Sequence, residues 1–251
     1  MSVYGSANAF IMVDVQLREI EMEQRDKTVS VGRRTLLQGM GIALLTLAPG
    51  MKAIASVFSA PVPAGKSVYR VRGKAWVNGE RVHEGTVIGP NDTVKTAQGS
   101  ELVFVVGDHA MILRGGSHLV IEAAENLGAA LISGLRLFTG KLLSVSRNPG
   151  MHIITPNATI GVRGTGVYLE AGPDKTYFCT CYGEVDVVSN DDASSKQTVV
   201  SKHHDMPLYI YRNAPPGQCI LHANKASRAN HSDEELQLAE ALVGRKPPFM
   251  T

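Results

Sequence analysis

The chain has 251 residues, 44% of them hydrophobic and 19% charged, and its 25 basic and 23 acidic residues leave a net charge of +2. Such a length allows one large or two small domains with ample core, and such a composition excludes a disordered chain. Scattered, nearly balanced charge excludes the electrostatic footprint of a nucleic-acid binder, and three cysteines are too few for a disulfide scaffold.

In chain order, the first distinctive segment is "VGRRTLLQGMGIALLTLAPGMKAIAS". Arg33 and Arg34 precede an apolar run from Leu36 to Ala48, and Ala53-Ile54-Ala55 offers a small-x-small cleavage site. This is the layout of an export signal. The paired arginines resemble a twin-arginine signal, although Gly32 and Gln38 depart from its usual flanks. The run is broken by Gln38, Gly39 and Gly41 and falls short of the roughly 18 apolar residues of a spanning helix. A buried helix is the alternative reading, and a signal anchor the outcome if cleavage fails. Residues 1–55 are therefore expected to be an N-terminal extension with its signal, with translation starting at Met22 and the mature chain near Ser56. The expected destination is the periplasm, or the inner membrane if the signal anchors. Residues 56–67, rich in Pro and Ala, read as a linker.

From Val68 the pattern turns to strands. In "YRVRGKAWV" apolar and basic residues alternate, which predicts one half-buried strand, and Asn78-Gly79 predicts a hairpin turn. Turn signals at Gly89 to Asp92, Gln98-Gly99, Gly107-Asp108 and Gly115-Gly116 then bound the short strands "TVKT", "ELVFVV", "AMILR" and "HLVIEA". "LRLFTGKLLSVS" reads as a hairpin turning at Thr139-Gly140, and "KTYFCTCYGEVDVVS" as two strands broken at Gly183. Short strands at this spacing predict an all-β fold, a sandwich or a β-solenoid. Residues 191–251 read as a C-terminal extension, in which the pattern loosens after Lys202. Its one helix is expected near 233–243: Ser232 and Glu235 form a capping box, Gly244 marks the stop, and Leu236, Ala239, Leu242 and Val243 form an apolar face for docking on the β-domain.

The stretch "TPNATIGVRGTGVYLE" concentrates glycine, threonine and arginine. A phosphate-binding loop should open a helix, because helix N-terminal N–H groups hold the anion. Here the residues that follow are Val167-Tyr168-Leu169 and a Gly172-Pro173-Asp174 turn, so a strand is expected instead.

With these elements in place, residues 68–190 resemble the FecR domain family. "GKAWVNGERVHEGTVIGPNDTVKTAQGS" is similar to the family's opening, with Gly85, Asp92, Thr93, Thr96, Gly99 and Ser100 in matching positions. The most specific match is Thr155-Pro156, Ala158 and the run Gly161, Arg163, Gly164, Thr165, while "CYGEVDVVS" resembles the closing element. The resemblance implies that Arg163 and its glycines form a structural corner, with Arg163 capping carbonyls or pairing with an acidic side chain. A ligand-binding Arg163 is the alternative. It also implies a cell-envelope domain that binds a protein partner or a small ligand, in some members as a membrane-anchored regulator of an extracytoplasmic-function sigma factor. The short segment ahead of the apolar run has no helical bundle to grip a sigma factor, so a stand-alone exported domain is expected.

One feature has no counterpart in that family pattern. Cys179 and Cys181 are two apart, His203-His204 follow, and Cys219 and His222 come later. On a regular strand both thiols share a face. Thiolate with imidazole favours zinc, copper or iron, so Cys179, Cys181, His203 and His204 are candidate metal ligands, with Asp205 placed to orient a ring. Two alternatives stand beside this: cysteines as small core residues, or a disulfide involving Cys219. Period two puts the thiols in phase with Val185 and Val187, but a bulge at Gly183 would reverse that phase. The chain carries no nucleophile elbow, H-E-x-x-H or nucleotide-binding set, so no enzyme is expected.

Overall fold

In the computed structural model the described residues are 65–124, 132–222 and 230–250. Arg33, Arg34, Ala53, Ala55, the start at Met22, Ser56 and nearly all of the 56–67 linker lie outside them. Among the described residues, no helix is long and apolar enough to cross a membrane.

The described chain is mostly β with one α-helix. The first strands are β1 (Val68–Arg72), β2 (Ala75–Val77) and β3 (Glu80–Arg81). The single strand expected across 69–77 is thus two, because β1 pairs with Glu101–Val106 (β5) whereas β2 pairs with Thr93–Thr96 (β4) in another part of the sheet. The Asn78-Gly79 turn forms as expected, joining β2 to β3 with both residues at positive φ. His109–Arg114 (β6) and His118–Ala123 (β7) follow, close to their expected bounds.

Three long strands then carry the architecture: β8 (Ile132–Val145), β10 (Ala158–Ala171) and β11 (Lys175–Ser189), with β9 (Pro149–Ile154) between the first two. The hairpin expected at Thr139-Gly140 does not form, since β8 runs through it. The physical reason lies in its partners: the first half of β8 pairs with β7 and β9, and its last residues with β6 and β10. Glycine there bends one strand from one set of neighbours to another instead of reversing it. The chain finishes with β12 (Lys196–Ser201), β13 (Leu208–Tyr211) and β14 (Ile220–His222). All the strands join in one 14-stranded sheet, antiparallel except for the β8–β9 pair.

Because the long strands bend, the sheet encloses one apolar core. Phe104, Leu113, Leu135, Ile153, Ile160, Phe178 and Val187 are among the residues that fill it. Alternate residues of the same strands, such as Val103, Ile112, Leu143 and Tyr168, point to the opposite, outer face. A ten-residue helix, α1 (Asp233–Leu242), covers that face with Leu236, Ala239 and Leu242 buried, as its periodicity predicts. The Ser232–Glu235 capping box is present, and Gly244 at φ +73° ends the helix. Glu240 is also fully buried on this side, accepting hydrogen bonds from Tyr182 and from Arg147 and Arg245.

The glycine-rich stretch lies within β10 and leads to a turn and another strand, not a helix. Its corner is a bulge inside one strand: pairing with β11 slips between Arg163 and Gly166. Gly164 has φ +72° but only ordinary space around an added Cβ, so it is the backbone angle that calls for glycine. Arg163 pairs with Glu184 at 3.2 Å and with Asp186 at 2.5 Å, the acidic-partner role expected of it, while Thr155 and Pro156 lead into the same strand. Opposite the bulge, Gly183 has φ +93°, and an added Cβ would lie 2.6 Å from Thr165 and 2.9 Å from the Gly164 carbonyl oxygen. Here both the angle and the close approach exclude a side chain.

Candidate metal centre

The bulge at Gly183 decides where the thiols point. Beyond it, Val185 and Val187 face the inner core, whereas Cys179 and Cys181 face the outer side beneath α1. β11 is continuous through Gly183, so the expected break is a bulge, and it reverses the strand's phase. Both cysteines are nevertheless fully buried, because α1 covers the face they occupy.

β12 returns antiparallel beside β11, with Ser201 opposite Gly183. The chain then turns instead of extending. Asp205 accepts hydrogen bonds from the backbone N–H groups of Lys202 and His203 at 2.8 and 3.2 Å, and His204 adopts φ +53°. The His204 N–H donates to the Cys181 carbonyl at 2.9 Å, which seats the residue over the cysteine strand. Its Nδ1 lies 3.4 Å from the Cys179 sulfur.

His203 does not join the thiols. Its ring packs against Phe249, and its Nε2 lies 2.9 Å from an Asp233 carboxylate oxygen. Adjacent residues diverge at this turn, so one of the pair, His204, reaches the sulfurs. The Asp205 carboxylate shapes the turn.

The fourth donor is one that sequence reasoning missed. His231 immediately precedes the cap of α1, and its Nε2 lies 3.1 Å from His204 Nδ1. Its position is fixed from several directions. The ring stacks on buried Tyr168 with centroids 4.3 Å apart and planes 13° apart. The preceding residue, Asn230, takes a left-handed φ of 61°, its carbonyl accepts from Arg114, and its side chain donates to Glu170. The only sequence signal was a histidine directly ahead of a capping box.

Donor atoms from Cys179, Cys181, His204 and His231 all lie within 4.8 Å of one another. A tetrahedral ion with bonds of about 2.0–2.3 Å holds its ligand atoms roughly 3.3–3.8 Å apart. The 3.4 Å contact between Cys179 and His204 falls within that range, and the 3.1 Å contact between the two histidines falls slightly short of it. A disulfide between the two strand thiols fits less well, because residues two apart on a strand have Cα atoms about 6.6 Å apart, near the limit of disulfide geometry. All three cysteines are free, and Cys219 is directed to the Ala214 carbonyl.

The electrostatics set a thiolate at Cys179 beside a charged imidazole at His204. A hydrogen bond from Cys181, helped against burial by His204 and His231, pulls the Cys179 thiol down to about 4. Burial, with the neighbouring Cys179 charge, pushes the Cys181 thiol up. Burial opposes a charge on His204, but the Cys179 thiolate and the Asp233 carboxylate outweigh it and raise the imidazole. Two thiolates, two neutral imidazoles and a divalent ion sum to zero, which removes most of the penalty for burying charge here.

No family model matches the sequence, and neither does any curated protein. Two crystal structures of a "putative anti-sigma factor" from Parabacteroides distasonis ATCC 8503, at 1.65 Å and 2.50 Å resolution, match 53% of this chain. In both cases identity is 14% and the TM-score 0.41, and the match spans 59% of that protein's chain. A TM-score of this size carries no role from one protein to the other.

Proposed function

We propose that this protein is an exported, non-catalytic β-domain that binds one transition-metal ion through Cys179, Cys181, His204 and His231. The observation that carries this reading is the convergence of two sulfurs and two imidazole nitrogens within 4.8 Å beneath α1. Mixed sulfur and nitrogen donors suit zinc, copper or iron and do not suit calcium or magnesium. Four protein donors complete a tetrahedral shell, which is the pattern of a closed, structural or sensing site and leaves no position for substrate.

Export is supported by the arginine pair, the apolar run and Ala53-Ile54-Ala55. A twin-arginine route would carry the folded domain with its metal already loaded, so the two parts of the reading agree. The resemblance to FecR domains supports a setting in the cell envelope, with an envelope protein or small ligand as partner.

Cobalt(II) titration of the full-length protein tests the metal reading. One equivalent should give intense tetrahedral visible bands and sulfur-to-cobalt charge-transfer absorption. The paired Cys179→Ser and Cys181→Ser variant should lose both, His204→Ala and His231→Ala should weaken binding, and His203→Ala should leave the stoichiometry unchanged. Equal cobalt binding after removal of both thiols would refute the site.

A further inference from the structure

The four donors come from two separable parts of the fold. Cys179, Cys181 and His204 belong to β11 and the turn after β12, whereas His231 belongs to the stretch that opens α1. Asp233, the first residue of α1, adds a second link across the same boundary. One of its carboxylate oxygens lies 3.1 Å from His204 Nε2 and 2.9 Å from His203 Nε2. Since His204 Nδ1 is the nitrogen that faces Cys179 and His231, its Nε2 must carry the hydrogen and donate to Asp233. A carboxylate in that place fixes the tautomer and the ring orientation that a metal requires.

The opening of α1 therefore supplies one ligand and holds another. A metal meets all four donors with the helix docked and loses His231 and the Asp233 hydrogen bond with it undocked. Linkage is reciprocal: whatever factor docking adds to metal affinity, the metal adds to docking. On the metal reading above, we infer that metal binding and docking of the C-terminal helix are one linked equilibrium, with Asp233 as the positioning residue that joins them. Asp233 touches no metal in this scheme and acts through His204. The face at stake is the outer one, where Leu236, Ala239 and Leu242 share a cluster with Ile112 of β6 and Val145 of β8.

The test uses the full-length chain, with zinc as the probe. Zinc affinity is measured by competition with a chromophoric chelator, and backbone hydrogen exchange is followed over residues 233–242 with and without zinc. Zinc should slow exchange in α1 at least tenfold, and Asp233→Asn should weaken zinc binding by about 10–100-fold. Glu234→Gln, which removes the same charge from the same exposed helix turn, should leave zinc affinity unchanged. That control separates orientation of His204 from a general loss of negative charge. If Asp233→Asn lowered α1 protection without zinc as much as with it, a merely structural role would replace positioning. If zinc binds tightly but leaves exchange in α1 unaltered, the linkage fails and the metal reading stands. Wild-type protein that takes up no zinc overturns the metal reading itself. Wild-type affinity in Asp233→Asn removes Asp233 from the scheme.

Discussion

The inner and outer faces of the bent sheet are filled by different rules. The inner face is predominantly apolar, from Val94 and Phe104 to Val187 and Ile210, with Ser144, Thr176 and Thr180 as buried hydroxyls among them, and is assembled from residues two apart on paired strands. The outer face, beneath α1, combines aliphatic side chains with two thiols, two histidines and the buried carboxylate of Glu240. An apolar face needs only to be removed from water, so a repeating pattern suffices to build it. A buried polar group needs a specific partner, and those partners come from distant parts of the chain. Cohesion on one face is therefore non-directional, and on the other it depends on particular atoms meeting.

Substitutions should separate the two. Phe104→Ala, at a fully buried inner position, should cost about 4 kcal/mol in chemical denaturation, as deletion of a core aromatic does. Cobalt affinity of the remaining folded molecules should not change, and a changed spectrum would show that the faces are not independent. Glu240→Ala should cost about 3 kcal/mol, because it leaves Tyr182 and two arginines without their buried acceptor. Glu240→Gln should recover part of that loss, which packing alone would not explain.

The glycine bulges join the two faces and should be next in effect. Gly183→Ala should cost roughly 2–3 kcal/mol, since the new Cβ meets Thr165 and the Gly164 carbonyl at positive φ. It should also perturb cobalt binding, because the bulge sets the direction of both thiols. Gly164→Val should cost about 1–2 kcal/mol from its backbone angle, with cobalt binding retained. Thermal melts that rank the two in reverse order would contradict the assigned roles.

The smallest effect belongs to Arg163. Its pairs with Glu184 and Asp186 are solvent-exposed, so Arg163→Ala should cost under about 1 kcal/mol and less in high salt. A hydrogen bond from Thr198, followed by Arg163, holds the Asp186 carboxyl below its ordinary value. A depressed folded pKa gives stability that is present above the unfolded value, about 4, and is lost as pH falls through the folded one. The difference between wild type and Arg163→Ala should therefore shrink in acid. A large, pH-independent loss would contradict the assignment of Arg163 to exposed ion pairs.

What could be read from the sequence follows the same division. β5 and β7, the Asn78-Gly79 turn and α1 with its cap and apolar face are written in local signals, and the structure reproduces them closely. Gly140 and Gly183 read as breaks in the sequence because a glycine reports a backbone angle without saying whether the chain then reverses or bends. That outcome depends on which strands lie alongside. Cys179, Cys181 and His204 stood out by type and spacing, and their face hinged on the bulge. His231 was missed because 27 residues separate it from His204, and only the docked helix brings the two together. Adjacent histidines on a strand face opposite ways, so only one of His203 and His204 is expected to reach the sulfurs, and the turn at positive φ makes it His204.

X-ray absorption at the zinc edge of the zinc-loaded, full-length protein tests the central claim most directly. The coordination shell should contain two sulfur scatterers at about 2.3 Å and two imidazole nitrogens at about 2.0–2.1 Å. A shell of oxygen and nitrogen alone, or protein that retains no zinc after gel filtration, would contradict it.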